Sequence, residues 1–209
     1  MHLRAFQALR YGRLAKITTR QHTKRLKKQN TLFVFLLLGA LQVPLPLRAQ
    51  QSQNPEQRLK ALGLTLPEPA RPVANFVTAV RTGNLVVLAG HGPCGAPTEK
   101  VTGKVGKDRT IDEGYETARQ TALCLLSTLK AEIGDLSKVK RIVRVFGMVN
   151  ATDTFDQHPK VINGCSDLLV EVFGERGKHA RAAVGMASLP FNWTVEIEMV
   201  VEVAEDPRL

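Results

Sequence analysis

The longest periodic segment of the chain runs from residue 111 to residue 133 and predicts one amphipathic α-helix. Its apolar residues recur at three- and four-residue intervals, at Ile111, Tyr115, Ala118, Ala122, Leu125, Leu126, Leu129 and Ile133. Thr110 and Glu113 have the spacing of a capping box, and Gly134 is a candidate C-cap. Because a helix with one apolar stripe must bury it against another layer, this segment requires a partner layer of secondary structure.

Strand-like runs on both sides of this helix supply that layer. Residues 75–80 and 84–89 predict a hairpin with Gly83-Asn84 at the turn. Further strands are predicted at 101–105, 139–149, 182–189 and 194–203, and further helices at 55–62 and 159–173. The resulting order, β-β-(β)-α-β-α-β-β, predicts a single α+β domain, with a mixed sheet and two helices packed on one face.

The distribution of charge restricts the possible partners. The 209 residues carry 29 Lys and Arg against 19 Asp and Glu, a net charge of +10. Ten of the basic residues and none of the acidic ones lie in residues 1–50, and the first acidic residue is Glu56. The remaining chain is therefore neutral. This argues against a nucleic-acid partner, because phosphate binding needs Lys and Arg clustered on the folded domain.

The N-terminal segment has the order of a secretory signal. Residues 1–49 combine a basic n-region with an apolar h-region at 32–41, and Ala49 is the small residue before the predicted cut. We expect an exported protein, periplasmic or secreted, with no stable membrane anchor after cleavage. An uncleaved, membrane-tethering segment and a mitochondrial presequence remain alternatives. Residues 50–69 are predicted as a linker with a short helix, and 70–205 as the folded domain.

The three cysteines are Cys94, Cys124 and Cys165, and an odd number leaves at least one free thiol. We predict no disulfide framework, with Cys124 and Cys165 buried in helices as small apolar residues. The pair His91 and Cys94 has the spacing of half a metal site. Without a second ligand pair, an ordinary loop is favoured, and we expect no metal.

Two charged residues near the C-terminus are candidates for chemistry. Arg181 opens a strand, and its planar guanidinium can hold a carboxylate through two hydrogen bonds. Glu196 lies on the polar side of a largely apolar strand, where a carboxylate can act as a general base. Two structural alternatives stay open: Arg181 pairs with Glu196 or Glu198 across strands, or Glu196 simply faces solvent.

The run from residue 180 to residue 196 resembles the C-terminal signature of the Rid (YjgF) family, the reactive intermediate deaminases. The matching positions are Arg181, Val184, Leu189-Pro190 and Val195-Glu196-Ile197. Residues 75–93 are similar to the family's N-terminal hairpin, and residues 102–105 and the helix around Asn163 also match. The resemblance covers roughly residues 70–203.

This resemblance implies a chorismate-mutase-like α+β fold that forms a homotrimer with sites at the subunit interfaces. It implies hydrolysis of enamine or imine intermediates to 2-keto acids and ammonia, without a metal or organic cofactor. Arg181 would hold the substrate carboxylate and Glu196 would position and activate water. The other pocket positions implied by the resemblance are Phe76, Ala89, Gly90, Asn163 and Ala183.

The chain also departs from the family pattern. Phe76 stands where an aromatic hydroxyl is usual, Ala89 where a serine is common, Ala183 where a cysteine is common, and His179 where a proline is usual. Because the arginine is kept while hydroxyls are lost, carboxylate binding is better supported than deamination of the usual substrate. The alternative function is a non-catalytic trimer that binds a small carboxylate in the same clefts. A ribonuclease is disfavoured by the neutral domain.

Overall fold

The computed structural model describes residues 54–205. The predicted signal at 1–49 lies outside the described residues, so export remains a prediction. Within residues 54–205, no helix is both long enough and apolar enough to cross a membrane.

The described chain forms a five-stranded mixed sheet with helices, which confirms the predicted α+β fold. The helices are α1 (Pro55–Ala61), α2 (Thr98–Val101), α3 (Ile111–Ile133) and α4 (His158–Phe173). The strands are β1 (Ala79–Thr82), β2 (Leu85–His91), β3 (Val139–Asn150), β4 (Ala180–Met186) and β5 (Val195–Val203). The strand order is β1-β2-β5-β3-β4, in which β4 pairs parallel to β3 and every other pairing is antiparallel.

Helix α3 begins and ends at the residues that the apolar period and the caps predicted. The Thr110 side chain accepts a hydrogen bond from the Glu113 backbone at 3.2 Å, and the Glu113 carboxylate accepts one from the Thr110 backbone at 2.8 Å. Gly134 ends the helix at a φ of 83°, which a residue without a Cβ adopts most easily. Local sequence therefore determines both ends of α3.

The hydrophobic core lies between the sheet and the two long helices, α3 and α4. Fully buried side chains of the central strands point toward these helices, among them Val86, Val145, Ile197 and Val201. The alternate residues face the other side of the sheet, on which no described helix packs. This open face carries apolar Val87 and Phe146 next to the carboxylates Glu196 and Glu198.

The predicted strand at 101–105 is wrong. The chain there ends the short helix α2 and makes only isolated bridges, such as Thr102 with Trp193. Gly103 has a φ of 110°, which breaks the extended conformation that a strand needs. The first hairpin strand also begins at Ala79, four residues later than predicted, because residues 73–76 form a bend.

The expectation that Cys124 is a free thiol is also wrong. Cys94 and Cys124 form a disulfide with Cα atoms 6.0 Å apart, whereas Cys165 is free and buried. The bond joins the Gly- and Pro-rich loop after β2 to α3. A cross-link between residues this far apart in sequence stabilises a fold by roughly 3–4 kcal/mol in the loop-entropy account. The sequence did not reveal this pairing because the contact depends on how α3 packs beside the loop.

Candidate functional site

The predicted site residues fall into two clusters. The glutamate cluster comprises Phe76, Ala89, Gly90 and Glu196, and the arginine cluster comprises Asn163, Arg181 and Ala183.

The two clusters lie on opposite faces of the sheet. On β3, Arg181 is paired with Val145, whose side chain points into the helical core, and Glu196 is paired with Met148. Positions 145 and 148 are an odd number of residues apart, so their side chains point to opposite faces. One protomer therefore does not bring Arg181 and Glu196 together.

The guanidinium of Arg181 is held by neutral oxygen atoms of α4. Its Nη1 donates to Oδ1 of Asn163 and to Oγ of Ser166, both at 2.9 Å. Its Nη2 has a longer contact of 3.5 Å to the backbone oxygen of Pro159. The structural alternative in which Arg181 pairs with Glu196 or Glu198 is thus excluded within the protomer, and no carboxylate of residues 54–205 forms an ion pair with the arginine.

A second layer of hydrogen bonds supports Ser166. His179 Nδ1 lies 2.7 Å from the backbone oxygen of Gly177, and its Nε2 lies 3.1 Å from Ser166 Oγ. Since a carbonyl can only accept, Nδ1 carries the proton and Nε2 accepts from the serine hydroxyl in neutral histidine. Burial lowers the pKa of His179, and the charge of Arg181 adds to this effect, so the neutral form is favoured. Ser166 can then accept only from Arg181.

This arrangement leaves one edge of Arg181 available. Both hydrogens of Nη1 point to Asn163 and Ser166, and within residues 54–205 the Nε atom has no hydrogen-bond partner. Nε and Nη2 together form the side-on fork that matches the two oxygens of a carboxylate. The arginine is exposed on the edge strand β4, where a ligand can reach it.

The centre of the glutamate cluster is the close approach of Glu196 to Gly90. A Cβ atom added to Gly90 would lie only 2.1 Å from Oε1 of Glu196, so any larger residue at this position would displace the carboxylate. The pairing of β2 with β5 shifts register between Leu88 and His91, which is the irregularity that places Gly90 beside the carboxylate.

His91 fixes this irregular segment from the core side. It is buried, with Nδ1 at 2.7 Å from the Ala89 backbone oxygen and Nε2 at 2.9 Å from Thr128 Oγ1. Burial lowers its pKa, which favours the neutral ring. Both ring nitrogens are occupied and Cys94 is in the disulfide, so this pair does not form half a metal site. The described residues contain no group of three or more metal-ligating side chains.

Glu196 is a half-buried carboxylate without a partner. Within residues 54–205 it accepts no hydrogen bond and forms no ion pair. Burial raises its pKa, and the neighbouring charge of Glu198 raises it further. A carboxylate with a raised pKa is a stronger base than one in solvent, and here no hydrogen-bond donor or cation of the described residues stabilises its charged form.

A pocket of about 380 Å³ borders the glutamate cluster. Phe76 and Gly90 of the cluster line it, together with the disulfide, Phe191 and Trp193. Ala89 does not line the pocket. Its backbone N–H donates a hydrogen bond of 3.0 Å to the backbone oxygen of Thr78, which does line it. An apolar cavity therefore adjoins the glutamate cluster at Gly90.

Sequence reasoning missed several of these residues. Ser166 lies one helical turn after Asn163, and His179 lies two strand positions before Arg181, so each shares a face with a predicted site residue. That spacing could have identified both. No comparable signal marks Phe191 and Trp193, which reach the pocket through a turn.

Comparison with known proteins agrees with this fold. Residues 56–203 match the family described as YjgF/chorismate mutase-like, putative endoribonuclease. Protein TCP17 of Trypanosoma cruzi is 41% identical over 146 residues, which cover 69% of this chain and 91% of TCP17.

Two solved structures are also similar. Atu1372 of Agrobacterium tumefaciens, a protein of unknown function, is 44% identical with a TM-score of 0.67, over 71% of this chain and 92% of that one. A putative endoribonuclease of Shewanella oneidensis is 34% identical with a TM-score of 0.70, over 72% of this chain and 100% of that one. Together with the fold, these matches show that the chain belongs to the YjgF/chorismate mutase-like family.

Proposed function

We propose that the protein hydrolyses 2-imino acids to 2-keto acids and ammonia, with Arg181 holding the substrate carboxylate and Glu196 activating water. The observation that carries the proposal is the unpartnered, half-buried carboxylate of Glu196 pressed against Gly90, with its pKa raised. The open fork of Arg181 supplies the complementary group for a substrate carboxylate.

The proposed chemistry needs only these groups and water. Glu196 takes a proton from water as the water oxygen bonds to the imine carbon, and the π electrons of the C=N bond move to nitrogen. Glu196 then returns the proton to that nitrogen. Glu196 next takes the proton of the carbinolamine hydroxyl and passes it to the amino nitrogen. The C=O bond forms as the C–N bond breaks, and the C–N electron pair leaves on neutral ammonia. Since an imine carbon is already electrophilic, orientation and one proton shuttle are sufficient.

The separation of the two clusters supports a site shared by two copies of the chain. We expect a homotrimer in which the arginine cluster of one protomer meets the glutamate cluster of the next. The open sheet face offers an apolar surface for this contact: Val80 is 52% exposed and Val87 is 43% exposed. Closed rotational symmetry would then create one site at each interface.

Mixing two inactive variants tests the shared site directly. Arg181→Ala and Glu196→Gln chains are each expected to retain at most about 1% of the wild-type activity alone. After unfolding and refolding together in equal amounts, about a quarter of the interfaces should combine an intact arginine with an intact glutamate, and activity should return to that level. No recovery in mixed trimers, or a monomer in sedimentation, would overturn the shared site.

Keto-acid release separates the enzyme from its alternatives. The wild type should release keto acid from a freshly generated imine faster than the spontaneous reaction. Binding of pyruvate without any acceleration would instead indicate the non-catalytic carboxylate-binding protein. Cleavage of RNA, with neither keto-acid release nor pyruvate binding, would indicate a ribonuclease. The net charge of zero over residues 51–209 disfavours that function.

We also propose that the protein works outside the reducing cytoplasm. The disulfide between Cys94 and Cys124 supports this, because disulfides persist mainly in oxidising compartments. The basic and apolar order of residues 1–49 supports it independently. Fractionation of cells that express the full chain, with mass determination of the mature N-terminus, tests the proposal. Retention of an uncleaved segment in the membrane fraction would indicate tethering.

A further inference from the structure

The pocket beside Glu196 has walls that suit an apolar side chain. Phe76, Phe191, Trp193 and the Cys94–Cys124 disulfide line it, and the rings of Phe191 and Trp193 lie 5.0 Å apart between centroids. Its volume of about 380 Å³ falls in the range of roughly 300–1,000 Å³ that small-molecule sites occupy. A methyl group would leave most of such a cavity unfilled.

One wall of this pocket is formed by residues whose backbone has a conformation that is rare outside glycine. Phe191 and Asn192 have φ values of 54° and 56°, in the left-handed region. The Asn192 backbone oxygen accepts from Gly103 at 2.9 Å, and its side-chain oxygen accepts from Asn150 at 3.1 Å. These bonds fix the turn from two sides, and non-glycine residues in this region cluster at ligand-binding sites.

The other wall is fitted to the indole ring. A Cβ atom added to Gly92 would lie 2.3 Å from the ring of Trp193, so the ring packs directly on the loop after β2. The disulfide ties the same loop to α3. The Trp193 part of the wall is therefore already in place before a ligand arrives, which reduces the cost of ordering this side chain on binding.

We propose that this pocket receives the substrate's side chain, and that the protein prefers 2-imino acids with aromatic or branched apolar side chains over those with a methyl group. The inference rests on the proposed function, since it assigns the substrate class of the same site. Gly90 belongs both to the pocket wall and to the contact with Glu196, so the pocket and the proposed base share this residue.

The test compares imines that an amino-acid oxidase generates from phenylalanine, leucine and alanine. Semicarbazide traps the imine, and hydrolysis by the protein lowers the trapped yield. We expect kcat/KM for the phenylalanine- and leucine-derived imines to exceed the alanine value at least about tenfold, since a single methylene changes selection in an apolar pocket by roughly 10–200-fold. Equal values, or a preference for the alanine-derived imine, would overturn the inference while leaving the proposed function intact.

A glycine variant isolates the aromatic wall. Phe191→Gly removes the ring at a position where glycine adopts the backbone conformation more easily, so the fold is not expected to lose stability. It should lower kcat/KM for the phenylalanine- and leucine-derived imines at least about tenfold more than for the alanine-derived imine, which removes the preference for large side chains. Leu62→Ala, an exposed apolar residue outside the pocket, is the matched control and should keep the preference. An equal loss for all substrates in Phe191→Gly would contradict the assignment.

A binding measurement keeps this inference separate from the catalytic proposal. Calorimetry should show phenylpyruvate binding at least about tenfold more tightly than pyruvate, with the difference removed in Phe191→Gly. If this difference in binding is found but the protein does not hydrolyse imines, the pocket assignment is supported and the deaminase function is rejected. Equal binding of the two keto acids would reject the pocket.

Discussion

The two clusters differ in how their charged groups are satisfied. Arg181 is held by Asn163 and Ser166 at 2.9 Å, and His179 supports Ser166 from behind. Glu196 has no bonded partner within residues 54–205 and is held only by its contact with Gly90 and the strand around it. A group that anchors a ligand gains from a fixed direction, whereas a group that must accept and return a proton gains from a perturbed, uncommitted proton affinity. The contrast supports the proposed roles, which are anchoring for Arg181 and proton transfer for Glu196.

Removal of the anchor should have the largest effect. Arg181→Ala should lower kcat/KM by about 10³-fold, because the substrate carboxylate loses two charge-assisted hydrogen bonds that water replaces poorly. Arg181→Lys should recover only part of the loss, since an ammonium group does not offer two parallel donors. Steady-state keto-acid release measures both. Arg141→Ala, an exposed arginine on β3, is the control and should leave kcat/KM unchanged. Full activity in Arg181→Ala would remove the anchor from the mechanism.

Loss of the base should act on turnover more than on binding. Glu196→Gln keeps the shape but cannot take a proton, so kcat should fall by about 10²-fold while KM changes little. At neutral pH the same variant should raise Tm. A carboxyl whose folded pKa is raised destabilises the fold above that pKa, so removing its charge stabilises the protein there. A fall in both kcat and Tm would instead mark Glu196 as a structural residue.

The sequence predicted α3 and the general architecture because their determinants are local. The Thr110–Glu113 capping box and the apolar period of α3 lie within one segment. The disulfide and the pocket depend on contacts between distant segments, such as Gly92 with Trp193, which no periodicity encodes. The resemblance predicted Arg181 and Glu196 as site residues one by one. Their separation onto opposite faces followed only from the register of β3 with its two neighbours.

Loosening the anchor should have a moderate effect. Ser166→Ala removes one hydrogen bond to Arg181 and leaves Nε2 of His179 without its partner. We expect KM to rise by about tenfold with kcat nearly unchanged, since one such bond contributes roughly 0.5–1.5 kcal/mol. Ser166→Thr retains the hydroxyl and should restore most of the affinity. A fall in kcat at constant KM would contradict the anchoring role and indicate a general disturbance of α4.

The smallest effect should come from the neighbour that raises the proton affinity of Glu196. Glu196 must be deprotonated to act as a base, so kcat/KM should fall as pH drops through its raised pKa. This acid limb should lie above the range of an ordinary glutamate.

Glu198→Gln removes the like charge that contributes to the shift, so the pKa of Glu196 should decrease and the limb should move to lower pH. Glu116→Gln on α3, which packs on the opposite face of the sheet, is the matched control and should leave the limb in place. An acid limb that stays fixed in Glu198→Gln but disappears in Glu196→Gln would show that burial alone sets the proton affinity of the base. A limb unchanged in both variants would assign the titration to another group and remove Glu196 from the proton transfer.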